Sequence, residues 1–236
     1  MTYRPVTRAV PSGDEARGAP GPATPSAWAP TSASRTRVVL VRHGVTEYSL
    51  AHRFAGRSDL ELTPLGHEQA ARAAARVADL GPVHAVLTSP LRRTRHTAAA
   101  IAERLGLPVA VDDDLVETDF GDWDGYTMAE IGARWPVESA RWLADPAVAP
   151  PAGESFDDVA VRVDRARARI VAAHTGGTVV VVSHVTPIKQ WVRRTLDAPA
   201  SALHRMYLAP AAICVIDHLD GGGVSLRSYN DTSHLP

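Results

Sequence analysis

The chain has 236 residues, 45% of them hydrophobic, with a formal charge of −1 and a pI near 6.8. That is apolar material for a full core, and the near-neutral balance excludes a protein that grips nucleic acid or an anionic membrane surface through a general basic excess. A single cysteine, Cys214, excludes an internal disulfide framework and a multi-cysteine metal site. Its apolar setting at 212–216 marks a buried structural thiol in a reducing, cytoplasmic environment.

The first 35 residues are rich in Pro, Ala, Gly and Ser and follow neither helical nor strand periodicity. Such a segment buries too little apolar surface to offset its ordering entropy, so 1–35 is expected to be a disordered tail or interdomain linker and 36–236 one domain. Trp28, its lone tryptophan, could pack somewhere. The segment lacks the continuous apolar stretch of a secretory signal, and no later stretch is long enough to span a bilayer.

From Thr36 onward, β-branched apolar runs alternate with helical patterns, the sign of parallel strands joined by right-handed crossovers. A strand is expected over 37–41. Thr63-Pro64 supplies an N-cap and a first-turn proline for an alanine-rich helix that stops near Gly81-Pro82. A strand over 85–88 follows, then a helix opened by Pro90 that runs to Leu105 and is ended by Gly106. The third helix, 154–174, puts Phe156, Val159, Val163, Ala166 and Ile170 on one face and assigns Arg162, Arg165, Arg167 and Arg169 to a solvated one. A strand over 178–183 precedes two closing strands, 212–218 and 224–229, joined by the hairpin turn Asp220-Gly221-Gly222-Gly223. The expected fold is α/β: three αβα layers around a mostly parallel central sheet with an antiparallel edge strand.

The chemistry gathers at strand ends. Val38-Val39-Leu40-Val41 runs into Arg42-His43-Gly44, and Val179-Val180-Val181-Val182-Ser183 into His184. Ala85-Val86-Leu87 runs into Thr88-Ser89-Pro90-Leu91-Arg92-Arg93. Ligands of open parallel sheets bind outside the carboxyl ends of strands, so these residues reach one rim. A lone histidine is more often structural than catalytic; three strands delivering His, His and Arg to one rim point to an anion. Planar guanidinium forks match phosphate oxygens bidentately, where a lysine offers a point charge.

Arg42-His43-Gly44-Val45-Thr46-Glu47, then Arg53-Phe54-Ala55-Gly56, Asp59, Leu62-Thr63 and Gly66, resemble the opening signature of the histidine phosphatase superfamily, with its phosphoglycerate mutase-like fold. Ser89-Pro90-Leu91, Arg93 and Thr97-Ala98 resemble its second motif, Glu117 within Leu115–Gly125 its acid-bearing motif, and Ser183-His184 its last. The resemblance implies His43 as nucleophile, Arg42 and Arg93 as phosphate clamps, His184 as a donor to the phosphoryl oxygens and Glu117 as proton donor. Ser49, Ala55, Gly56 and Val185 would bind substrate. Neither metal nor other cofactor is implied; the partner is a small phosphorylated substrate, with no nucleic acid and no membrane, and a homodimer is left open.

The family often carries an asparagine where this chain has Ser49 and a small hydroxyl residue where it has Ala55, so affinity for the phosphate is in question. Arg93 is preferred over Arg92 because it has the motif's spacing from Ser89. Within the superfamily the chain is similar to alpha-ribazole phosphatase-like acid phosphatases and to the C-terminal acid phosphatase domain of actinobacterial proteins that also carry RNase H. That likeness rests on Glu117-Thr118-Asp119-Phe120-Gly121, on 184–189 and on 230–235. Mutases share the family. They need further basic groups for a second phosphate, and between Gly125 and Gly153 only Arg134 and Arg141 are basic, which favours a phosphatase. Two readings from other classes compete: a metal site of His43, His184 and Glu117, which Arg42 and Arg93 would oppose by charge, and a non-catalytic phosphate-ester-binding module.

Overall fold

The computed structural model describes residues 35–220 and 222–236. Residues 1–34 of the segment read as a tail, Trp28 among them, and Gly221 of the hairpin turn lie outside the described residues, while Arg35, assigned to that tail, instead opens the first strand. Six strands, β1 (Arg35–Arg42), β2 (Ala85–Thr88), β3 (Val109–Val111), β4 (Thr178–Ser183), β5 (Ile213–Leu219) and β6 (Val224–Asp231), form one sheet ordered β3-β2-β4-β1-β5-β6. Pairing is parallel from β3 to β1, and the β5/β6 hairpin adds an antiparallel edge against β1.

β1 and β4 lie side by side at the centre, and both faces of each are covered. Their alternate residues therefore serve opposite layers, which is why they read as unbroken apolar runs. Val39, Val41, Val180 and Val182 pack on α2 (Pro64–Ala78) and α3 (Arg92–Leu105). Val38, Leu40, Val179 and Val181 pack on α6 (Phe156–Ala173) and α7 (Val185–Thr195). A third cluster, built on Trp123, Trp142, Phe156 and Phe120, joins the sheet domain to α4 (Met128–Arg134) and α5 (Pro136–Ala144) beside the strand ends. No helix among the described residues is long and apolar enough to cross a membrane.

Helix boundaries follow their caps. Thr63 Oγ1 accepts from the Gly66 N–H at 3.1 Å, as its position before Pro64 suggests. α3 begins at Arg92 rather than Pro90, because the Asp59 carboxylate takes the Arg92 N–H at 2.7 Å and caps the helix from another loop. Gly106 ends it in the left-handed conformation, φ 66°. Five elements escape the periodicity reading: β3, α4, α5, α7 and the single turn α1 (Glu47–Leu50). α7 carries Pro187 in its first turn, a place where proline costs no helical hydrogen bond.

One expectation for α6 fails. Arg162 is not on a solvated face: it is 8% exposed and donates to the carbonyls of Asp114, Val116 and Glu117 and to the Glu154 carboxylate. Charge does not expel it from the interior because its donors are matched there. Arg165 and Arg169 are exposed, paired with Asp114 and Asp112.

Candidate active site

Register brings the three strand ends together. Arg42 lies beside Ser183 and Thr88 beside Val182, so His43, His184 and Ser89 leave the sheet as neighbours. The two imidazole centroids are 5.2 Å apart. The turn after His43 is compressed against the start of α2: a Cβ on Gly44 would stand 2.3 Å from the Gly66 carbonyl oxygen, and one on Gly66 2.2 Å from that of Val45. Only two facing glycines allow that approach.

His43 is 4% exposed, with Nδ1 2.7 Å from the Gly44 carbonyl oxygen. A carbonyl only accepts, so the proton sits on Nδ1 and Nε2 keeps its lone pair. Burial, then the charges of Arg93 and Arg42, hold the imidazole well below its usual pKa. The ring is neutral at neutral pH and basic at one defined nitrogen.

Arg42 donates through Nη1 to the Leu208 carbonyl at 2.6 Å, while its buried Nε has no partner among the described residues. Burial lowers its guanidinium to about 10, against the opposing pull of Glu117. Arg93 is fully buried and heavily committed: Nη1 to the Ser58 carbonyl at 2.6 Å, Nη2 to those of Ala55 and Gly56 at 3.0 and 2.8 Å, Nε to His184 Nδ1 at 3.2 Å. Because Arg93 Nε–H can only donate, His184 carries its proton on Nε2 and gives it to Ser89 Oγ at 2.7 Å. Burial, then Arg93 and His43, push the His184 pKa well below the usual histidine value.

Glu117 is 4% exposed and its carboxylate sits at the amino end of α7, accepting from the N–H groups of Val185 at 3.0 Å and Thr186 at 3.2 Å, and from Thr118 at 2.8 Å. Those are donors that a helix start leaves unpaired, and His184, the N-cap residue, offers no side-chain cap. Arg162 fixes the Glu117 loop from behind through its carbonyls, a positioning role that the sequence reading missed.

A cleft of roughly 170 Å³ opens here, lined by Arg42, His43 and Glu117, and by Ser49, Ala55 and Val185. Arg53, Phe54, Phe120 and Thr186, which were not singled out as site residues, complete the lining. Arg53, Phe54 and Phe120 all fall within the motifs that carry the family resemblance, but none gives a periodic signal that would place it at the cleft. Arg93, His184 and Gly56 stand behind this lining. Gly56 is pressed on the backbone: an added Cβ would lie 2.8 Å from the Thr118 carbonyl oxygen. Ser49 Oγ is held in the Thr46 capping box, 3.0 Å from Thr46 Oγ1.

The family model described as histidine phosphatase superfamily, branch 1, matches residues 38–232. Bifunctional protein Rv2228c of Mycobacterium tuberculosis is 45% identical over 212 residues, 90% of this chain and 58% of that protein, so the chain spans little more than half of that curated relative. Glucosyl-3-phosphoglycerate phosphatase of Mycobacterium tuberculosis is 41% identical over 156 residues, 63% of this chain and 70% of the relative. An alpha-ribazole-5'-P phosphatase-like structure from Escherichia coli superposes with a TM-score of 0.75 at 28% identity, covering 83% of this chain and 96% of that one. Since the family match takes in every residue that lines the cleft and the sheet that delivers them, the chain belongs to branch 1 of the histidine phosphatase superfamily, with its phosphoglycerate mutase-like fold.

Proposed function

We propose that the chain hydrolyses small phosphomonoesters, without a metal, through a phosphohistidine on His43. The observation that carries this reading is the pairing, at one cleft, of a neutral imidazole whose Nδ1 is pinned to Gly44 with an arginine whose buried Nε–H has no partner among the described residues. Nε2 of His43 attacks phosphorus, the ester P–O bond breaks, and Glu117, which has taken the proton brought in by the monoanionic ester, gives it to the departing oxygen. Glu117, now a carboxylate, takes a proton from water as that water attacks the phosphohistidine and frees inorganic phosphate. Arg42 meets the phosphoryl oxygens directly. Arg93 contributes mainly charge, since four of its five N–H bonds are already given away. His184 orients Arg93, and donates to a phosphoryl oxygen only by releasing Ser89.

Hydrolysis is favoured over mutase chemistry because the basic residues of the cap are not turned to the cleft. Arg134 lies 4.5 Å over the Tyr126 ring and donates to its hydroxyl, and Arg141 is exposed on α5. The curated phosphatase relatives support the same reading. Rapid quenching with labelled p-nitrophenyl phosphate is expected to trap acid-labile phosphate on His43, with full activity in excess chelator, and His43→Ala to abolish turnover. Label on serine, or activity lost with chelator and restored by a divalent ion, would overturn the mechanism.

A further inference from the structure

Arg53, Phe54 and Phe120 also line the cleft and make up a half of it that the mechanism proposed above does not assign to the reacting phosphate. Phe54 and Phe120 meet edge to face with centroids 4.7 Å apart, and Trp142 backs Phe54 at 6.0 Å. Among the described residues Arg53 is the one lining cation besides Arg42, and its charge is already answered. Its Nη1 donates to the Gly125 carbonyl at 2.7 Å and to Glu130 Oε2 at 2.8 Å, and its Nη2 to Glu130 Oε1 at 3.4 Å. Glu130 is fixed in turn by the α4 capping box, where Oε2 accepts from the Thr127 N–H at 2.8 Å and its hydroxyl at 3.1 Å. Backbone pairing of Arg53 with Thr127 ties the two segments together. Lys189, one turn into α7, gives its ammonium to the Leu203 carbonyl at 3.1 Å.

A second anion on the substrate would therefore meet an aromatic wall that cannot solvate it and an arginine whose partner carboxylate repels it. We propose that this half of the cleft receives the leaving group and selects phosphomonoesters of uncharged alcohols over those whose alcohol bears a carboxylate, with Glu130 as the positioning residue that withholds Arg53. The proposal rests on the phosphatase reading.

Glycerol 3-phosphate and 3-phosphoglycerate test it, because both are primary alkyl esters on three carbons and differ in the carboxylate. kcat/KM is expected to favour glycerol 3-phosphate by at least about tenfold, as like charges across a site cost that much discrimination. Glu130→Gln keeps the cap acceptor but removes the charge, and is expected to narrow the ratio about fivefold by freeing Arg53, the worth of a half-exposed ion pair. A general structural defect would lower both substrates together and leave the ratio unmoved. Equal or faster turnover of 3-phosphoglycerate by the wild type overturns the proposal and leaves the phosphatase reading standing; if Glu130→Gln does not fold, this wild-type ratio decides alone. No turnover of either ester or of p-nitrophenyl phosphate overturns both.

Discussion

Glu117 has two tasks that compete for the same oxygens. Its carboxylate closes the start of α7 through the N–H groups of Val185 and Thr186, and it faces the cleft beside His43. Glu117→Gln separates the two, since an amide oxygen still accepts from a backbone N–H while the amide cannot protonate a leaving oxygen. Alkyl phosphates leave as poor alkoxides and aryl phosphates as stabilised anions, so loss of a general acid worth about 10²–10⁴-fold should fall mainly on the alkyl esters. Steady-state rates on glycerol 3-phosphate and p-nitrophenyl phosphate measure this. Equal losses on both would move the acid elsewhere, with Asp119 the first candidate. At this scale the sequence picked out residues that the fold brings together: Arg42, His43 and Glu117 all line the cleft. It could not say that Arg93 and His184 would be locked to carbonyls and to Ser89 behind it, because hydrogen-bond partners 35 to 95 residues away follow from loop paths and not from the motif itself.

Among elements, α6 links sheet packing to the Glu117 loop. Its apolar face, Val159, Val163, Ala166 and Ile170, seats it on the sheet, and that seating carries Arg162 to the carbonyls of Val116 and Glu117. Arg162→Lys keeps the charge but replaces a planar fork with a point donor that cannot serve Asp114, Val116 and Glu117 at once. The expected cost is about 1–3 kcal/mol of stability for the buried carbonyls left unpaired, read from denaturant unfolding. Its catalytic signature should copy that of Glu117→Gln, with kcat on alkyl esters falling further than on aryl esters. A uniform loss would mean that Arg162 is only structural. The amphipathic pattern predicted α6 itself; the burial of Arg162 was hidden, since a 3.6-residue period ranks residues by side and a buried arginine violates the rule wherever partners exist.

The molecule as a whole couples its stability to pH through histidines that it keeps neutral. Burial first, and neighbouring arginines next, depress His43 and His184, and burial lowers His218 to about 4. Each takes up a proton in the unfolded chain below about pH 6.5 and not in the folded one. The unfolded state therefore binds more protons as pH falls from 6.5 toward the depressed folded values, and stability present above pH 6.5 is lost there, by up to about 1.4 kcal/mol per pH unit for each histidine. Urea unfolding between pH 7.5 and 5.5 should show this slope, and His184→Gln should reduce it by one proton; a slope indifferent to that change would count against it. The sequence by itself determined five of the six strands, the α2 and α6 helices, the layer order and the candidate site residues, because two-fold and 3.6-fold apolar periods, N-caps and strand-end motifs are local properties of the chain. Only the tertiary structure decided that β3 and α7 exist, that Arg162 is interior, that Asp59 caps α3 and that Glu130 silences Arg53. Each of these depends on which distant donor or acceptor the folded backbone brings within about 3 Å, the reach of a hydrogen bond.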